Sequence, residues 1–297
     1  MKTTATVLAD SIINGIRVTT FEVTFWRAIL AEINTHRVFS RSYQSSRALP
    51  VKRQIEMASF TPDVWRLDNP GMQPKAYADA EISEKAYAVW ERARESAIAF
   101  SKELSDLGIA KEQANRLTEP FLFCRGVITS TRWENFFNLR CHTDAQYEFQ
   151  ILAKIMEEQL YASRPVARGL HLPYIQDIDE FGSWDAETLL KKIKLSVARC
   201  ARVSYKNFDG NETKWEQDLA LYQKLVISRP VHASPAEHQA IHPNIADGIT
   251  RQLMKEEHLS THVAIMSSPV GSISGINGNF HPGVVQYRKL IEEYFYK

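Results

Sequence analysis

Apolar or β-branched residues alternate with polar ones over Gly15–Thr24 (GIRVTTFEVT), the period of a half-buried strand, and a helix is predicted to follow from Phe25 to about Asn34. The serine-rich Ser40–Ser46 and the stretch Leu49–Pro74, with Pro50, Pro62, Pro70 and Pro74, read as loop containing short helical pieces. Such a segment is a natural place for a binding surface. From Ile82 to Leu107 apolar positions recur at helical spacing among good helix formers, with Gly108 as a stop, which predicts one long amphipathic helix. A second helical pattern covers Trp133–Leu160, where Phe136, Phe137, Leu139, Tyr147, Ile151, Leu152, Ile155 and Met156 suit a core-facing side.

Periodicity lapses between Ala162 and Asp185, where Pro and Gly collect, and a boundary is expected near Gly182. This divides the chain into halves 1–182 and 183–297, expected to fold together as one unit. The second half predicts a helix from about Ala186, a strand at Val197–Tyr205, a helix at Trp215–Ile227 and a Ser/Gly-rich loop at Ser267–Gly283. No internal repeat or low-complexity run occurs.

Composition narrows the function classes. A chain of 297 residues with 44% hydrophobic content can bury a substantial core. Its 36 Lys and Arg balance 35 Asp and Glu, so no overall field draws it to nucleic acid or to an anionic membrane, and anion binding must be local. The N-terminus lacks the basic start and apolar run of a signal peptide, and no stretch approaches the ~18 apolar residues of a membrane span, so a cytoplasmic protein is expected. Cys124, Cys141 and Cys200 form no CxxC pair and are read as structural thiols.

The densest chemistry lies in Thr35-His36-Arg37-Val38-Phe39-Ser40-Arg41-Ser42-Tyr43-Gln44-Ser45-Ser46-Arg47, which holds three arginines, one histidine and four serines. Guanidinium forks and hydroxyls deliver several charge-assisted hydrogen bonds to one phosphate, although composition alone fits a solvated basic loop equally well. Asn135 and Arg140 place polar heads on an otherwise apolar helix, either toward a ligand or toward solvent. His232, Glu237 and His238 of HASPAEH could ligate a metal, but no further Cys, His or carboxylate completes a zinc site by spacing, and no metal is expected.

The Thr35–Arg47 stretch resembles the RHRxxSxNxxSxR signature of the flavin-dependent thymidylate synthase (ThyX) family, with His36, Arg37, Ser40, Ser45 and Arg47 in register. Thr35, Ser42 and Ala48 depart from it. Asn135–Arg140 followed by Ala145–Glu148 is similar to the family's NxxNLRxxxxAQxE helix. His232–His238 resembles its H-x-[ST]-P-x-E-H segment, and Ala201–Tyr205 its ARVSY strand. The last two normally precede the signature but follow it here, the order that a circular permutation produces. Asn279-Phe280-His281 and Gln286-Tyr287-Arg288, between Ser267 and Lys289, match no element of the family.

The resemblance implies an α/β (α+β) fold with helices packed on a mostly antiparallel sheet, and a homotetramer with shared sites. It implies that His36, Arg37, Asn135, Ser204, His232, Ser234 and Glu237 hold FAD, that Ser45, Arg47 and Arg140 hold dUMP, and that Arg116 adds a phosphate contact. Arg140 is expected to stabilise charge on the pyrimidine carbonyl. Methylenetetrahydrofolate would supply carbon and NADPH would reduce the flavin, without a cysteine nucleophile. Arg41 or Arg132 is expected to make up for Thr35. Glu32 and Tyr43, which stand where Gln and an acidic residue are expected beside the nucleotide, leave open a dCMP substrate or a hydroxymethyl product. A non-catalytic nucleotide binder is the alternative from another class.

Overall fold

Asn14 and Gly15 have φ of 51° and 76°, the left-handed pair that a two-residue type I′ turn requires. They fold β1 (Thr4–Ile13) back on β2 (Ile16–Trp26) and set Ile13 opposite Ile16. The computed structural model describes residues 2–71, 74, 76–175, 185–203, 214–229, 232–257 and 269–295. β2 is the strand that the alternation predicts, but it is buried on both faces: Thr19 and Thr20 are as inaccessible as Phe21 and Val23.

A 3-10 turn (Arg27–Ile29) and the short α1 (Leu30–Ile33) follow, as expected for this stretch. Ser40–Tyr43, expected to be loop, instead forms β3. Its serine side chains point inward and find polar partners, so low hydrophobicity conceals a paired strand. After α2 (Val51–Met57) comes the predicted long helix, α3 (Ala80–Asp106). The Asp79 carboxylate caps it by accepting from the Ile82 N–H at 2.8 Å. At its end Gly108 takes φ 79°, and Ile109 N–H reaches back to Leu104 O while Gly108 N–H bonds Ser105 O, a Schellman stop. Its apolar residues are not all covered: Val89 and Phe100 are 56% and 58% exposed.

After α4 (Lys111–Ala114) and a 3-10 stretch, β4 (Phe123–Ser130) pairs antiparallel with both β2 and β3. The predicted helix over Trp133–Leu160 is two helices, α5 (Glu134–Arg140) and α6 (Tyr147–Ala162). The polar run Cys141–Gln146 breaks it, and Gln150 Nε2 caps the freed carbonyls of Cys141 and His142. β5 (Val166–Ala167) then adds in parallel to β1, completing a sheet of order β3-β4-β2-β1-β5 that is otherwise antiparallel.

β6 (Leu170–His171) begins a second sheet. α7 (Ala186–Ala201) is helical through Val197–Ala201, where a strand was expected, because Leu190, Ile193 and Val197 continue a helical apolar face into the core. The rest of that expected strand, and the boundary near Gly182, lie outside the described residues. α8 (Trp215–Tyr222) runs into a π-helical turn ending at Ile227, the predicted helix. β7 (Ala240–Ile241), α9 (Pro243–Glu256), β8 (Val285–Gln286) and α10 (Tyr287–Phe295) complete the chain, with β6-β7-β8 antiparallel.

The two largest apolar clusters among the described residues form the cores. Phe21, Val23 and Phe25 of β2 meet Phe136, Phe149, Leu152 and Met156 of α5 and α6 in one, and α7, α9 and α10 close around the small sheet in the other. Ile13 and Val18 of the first hairpin pack with Ala240, Phe280 and Val284 and join the two. Among the described residues no helix is long and apolar enough to cross a membrane.

Candidate functional site

The polar face of β2 is buried because β6 of the second sheet lies on it. His171 of β6 contacts Ser11 Oγ at 3.0 Å and Thr20 Oγ1 at 2.7 Å. Thr20 Oγ1 is 2.7 Å from Thr129 Oγ1, which is 2.8 Å from His238 Nδ1, and His238 Nε2 is 3.0 Å from Ser42 Oγ. Burial pushes both imidazoles down to about 3, so each is neutral, with one donor and one acceptor nitrogen. This seam presses the 3-10 turn Ser234–Glu237 against β3.

Beside the seam opens a cleft of about 490 Å³, within the usual range of a ligand site. One wall comes from the signature stretch (Arg37, Phe39, Arg41), and the other from Glu237, Asn279, Gln286, Arg288 and Lys289. Arg41 is anchored by donating from Nη1 to Asn34 O at 2.7 Å. Opposite, Arg288 pairs with Glu237 and donates from Nε to Glu292 at 2.5 Å, while Lys289 donates to Glu292 at 2.6 Å. The two cations beside Glu292 hold its carboxyl below the usual range, although burial works against them. Arg37 and Arg41 have no carboxylate partner among the described residues, so the uncompensated positive charge sits on the signature wall.

His36 does not line the cleft. It is buried against Phe39, Phe136 and Phe149, and its Nε2 accepts from Arg140 Nε at 3.1 Å. Burial, then the positive charges of Arg140 and Arg41, push it down to about 4. It is therefore neutral, with the proton on Nδ1. Arg140 is further placed by Phe149, whose ring lies 4.6 Å below the guanidinium, and by Glu32, whose carboxylate is 3.7 Å from Nη1.

The other residues singled out in the sequence are spread more widely. Asn135 and Arg132 are exposed on and beside α5, and His232 and Ser234 are exposed at the start of the turn that carries Glu237. Ser45 Oγ accepts from Arg47 N–H within the turn after β3. Arg116 pairs with Glu119 at 2.7 Å, and Ser204 lies outside the described residues. Tyr43 packs edge-on against Phe25 and over Gly126. Burial pushes the thiols of Cys124 and Cys141 up to about 11, and that of Cys200 higher still. Among the described residues no group of three or more His, Cys, Asp or Glu is placed to hold a metal ion.

Of the second wall, sequence reasoning gave a role to Glu237 alone. Asn279, Gln286, Arg288 and Lys289 follow two glycines, Gly275 and Gly278, with φ of 76° and 58°. A turn-rich loop ending in a basic pair was the available signal.

A family described as thymidylate synthase complementing protein matches residues 15–166, half of the chain. Among solved structures, a UMP/dUMP methylase PolB from Streptomyces cacaoi bound with 5-Br dUMP is 22% identical over 49% of this chain, with a TM-score of 0.44; the match spans 66% of that protein. The same methylase bound with 5-Br UMP is 17% identical over 54% of this chain and 89% of its own length, with a TM-score of 0.47. No curated protein matches the sequence.

Proposed function

The chain belongs to the thymidylate synthase complementing protein family, and from that premise we propose that it converts dUMP to dTMP, with methylenetetrahydrofolate as carbon donor and NADPH-reduced FAD as hydride donor. The observation that carries the reading is the meeting of the two outer motifs. The signature stretch and the HASPAEH segment lie in opposite halves of the chain, yet Ser42 and His238 touch at 3.0 Å and Arg37, Arg41 and Glu237 share one cleft.

The cleft suits a dinucleotide cofactor. Arg37 and Arg41 offer uncompensated charge to a pyrophosphate, and Glu237, His232, Ser234, Asn135 and Ser204 are proposed to complete the binding surface, with His36 supporting it from beneath. FAD supplies the hydride when bound. Arg140 acts on the pyrimidine: as C5 becomes nucleophilic, negative charge grows on a ring carbonyl, and a guanidinium already fixed by His36 and Phe149 stabilises it without reorganising. Neutral His36 is essential to that placement, because a protonated ring would present a donor to Arg140 Nε. Ser45 and Arg47 are proposed to hold the nucleotide, with Arg116 as a further phosphate contact. The exposed apolar residues of α3 provide a surface that the proposed homotetramer would cover.

Glu32 favours one variant of this chemistry. A carboxylate 3.7 Å from Arg140, where the family has Gln, supplies a base that can direct water to the one-carbon unit and give a hydroxymethyl pyrimidine. One experiment separates the outcomes: anaerobic incubation with FAD, NADPH, methylenetetrahydrofolate and equal dUMP and dCMP, followed by mass spectrometry. Methylated dUMP supports the synthase, and a hydroxymethylated nucleotide supports the variant and identifies its base. No product in protein that retains FAD makes this a non-catalytic nucleotide binder.

A further inference from the structure

The second wall of the cleft contains a side-chain amide whose orientation is fixed from behind. Gln286, 2% exposed, directs Nε2 at Asn279 Oδ1 (2.7 Å), Glu237 O (3.0 Å) and Ser40 Oγ (3.1 Å). The hydroxyl of Ser40, fully buried in β3, also donates to Asn279 Oδ1, at 3.1 Å. Two donors therefore converge on the Asn279 oxygen. Turning that amide over would set one NH2 group against another, so its oxygen must face Gln286 and its nitrogen must face away. Nδ2 has no hydrogen-bond partner among the described residues, and Asn279 lines the cleft with Arg37 and Arg41.

The loop is built around this arrangement. A Cβ at Gly278, which already needs glycine for its φ of 58°, would lie 2.1 Å from Gln286 Oε1. Phe280 is buried at the junction of the two cores, and His281 N–H donates to Thr131 Oγ1 at 2.9 Å, which ties the loop to the first half of the chain. Asn279 is thus a donor of fixed direction held by both halves.

We propose that Asn279 is a ligand-binding residue of the cleft, donating from Nδ2 to a pyrophosphate oxygen of the dinucleotide cofactor whose charge Arg37 and Arg41 neutralise, with Gln286 and Ser40 as its positioning residues. This rests on the FAD reading above. The test is calorimetric titration of the flavin-stripped full chain with FAD and, separately, with inorganic pyrophosphate. Asn279→Asp keeps the oxygen that Ser40 and Gln286 address and replaces the donor with a negative oxygen. It should weaken both ligands by about tenfold or more at an unchanged Tm. If the Asp variant is unstable, Asn279→Ser, which removes the amide without adding charge, should still weaken both by about threefold. Wild-type affinity for both ligands in a folded variant overturns the proposal and leaves the FAD reading intact. Weakened FAD with unchanged pyrophosphate overturns the assignment to the phosphates. A wild-type chain that binds pyrophosphate but not FAD overturns the FAD reading and, with it, the dinucleotide role of Asn279.

Discussion

His238 Nε2 and Ser42 Oγ, 196 positions apart in the chain, lie 3.0 Å apart in the buried seam between the two sheets. The contact ends a continuous polar chain from Ser11 through His171, Thr20, Thr129 and His238 to Ser42. Because each neutral imidazole has one donor and one acceptor, the hydrogen bonds keep one direction through each histidine, and the Thr20 and Thr129 hydroxyls, which can donate and accept, link the two. A buried seam of this kind specifies how the halves dock, since a shifted docking would strand several polar groups in a dry interior.

Three buried histidines, two of them in the seam, make stability depend on pH. His171 and His238 have folded values near 3 and His36 near 4, all below the ordinary 6.5, so the unfolded chain binds more protons between those limits. Their contribution is fully present above about pH 6.5 and is lost as the pH falls toward the folded values. Between pH 7 and 5 each histidine should remove roughly 2 kcal/mol. Urea titrations at the two pH values measure the loss, and His238→Gln should flatten the dependence relative to wild type. An unchanged slope in that variant would remove His238 from the account.

Gly126 in β4 leaves room for the ring of Tyr43 on the neighbouring strand. A Cβ there would lie 2.1 Å from Tyr43 Cδ1 and 3.1 Å from the Ser42 carbonyl oxygen. Gly126→Ala should therefore cost about 1–3 kcal/mol, the usual range for overpacking. Combining it with Tyr43→Ala should cost less than the sum of the single changes, and additive penalties would show that the ring is not the obstacle.

Elements carried by local pattern were legible in the sequence. β2 and α3 form where their periodicities place them, although β2 is buried on both faces and α3 leaves apolar residues exposed, and Gly108 stops α3 where glycine was expected to. What escaped depends on partners distant in the chain. Ser40–Tyr43 is polar enough to read as loop, and it becomes a strand because β4 pairs with it and His238 and Gln286 satisfy its serines. Val197–Ala201 has β-branched and small residues that suit a strand, but the core around α7 holds them in a helix. The signature cations were visible as a cluster, whereas the Asn279–Lys289 wall gains meaning only once the fold sets it opposite Arg37.

Two arginines were candidates to make up for Thr35, and the fold separates them. Arg41 enters the cleft, whereas Arg132 is exposed and contributes nothing to its lining. Arg41→Gln should weaken FAD by about tenfold, as expected for loss of one charge-assisted contact, and Arg132→Gln should leave it unchanged. Fluorescence titration of the two variants measures this, and the reverse order would place the cofactor outside the cleft.

Arg140, proposed to act on the pyrimidine, allows the sharpest separation of catalysis from binding. Its guanidinium touches His36, Phe149 and Glu32 but does not line the cleft, so its removal should leave the cofactor in place. Arg140→Ala should lower kcat by about 10²–10³, the range for losing one preorganised donor to a developing oxyanion, with flavin absorbance retained. Arg140→Lys keeps the charge but lacks the planar fork that bonds His36 while stacking on Phe149, so it should recover little of the rate. Flavin lost together with turnover would make Arg140 a cofactor ligand, and turnover at the wild-type rate would remove it from the reaction. Recovery by lysine would mean that charge alone, without the fixed direction that His36 imposes, is what the pyrimidine requires.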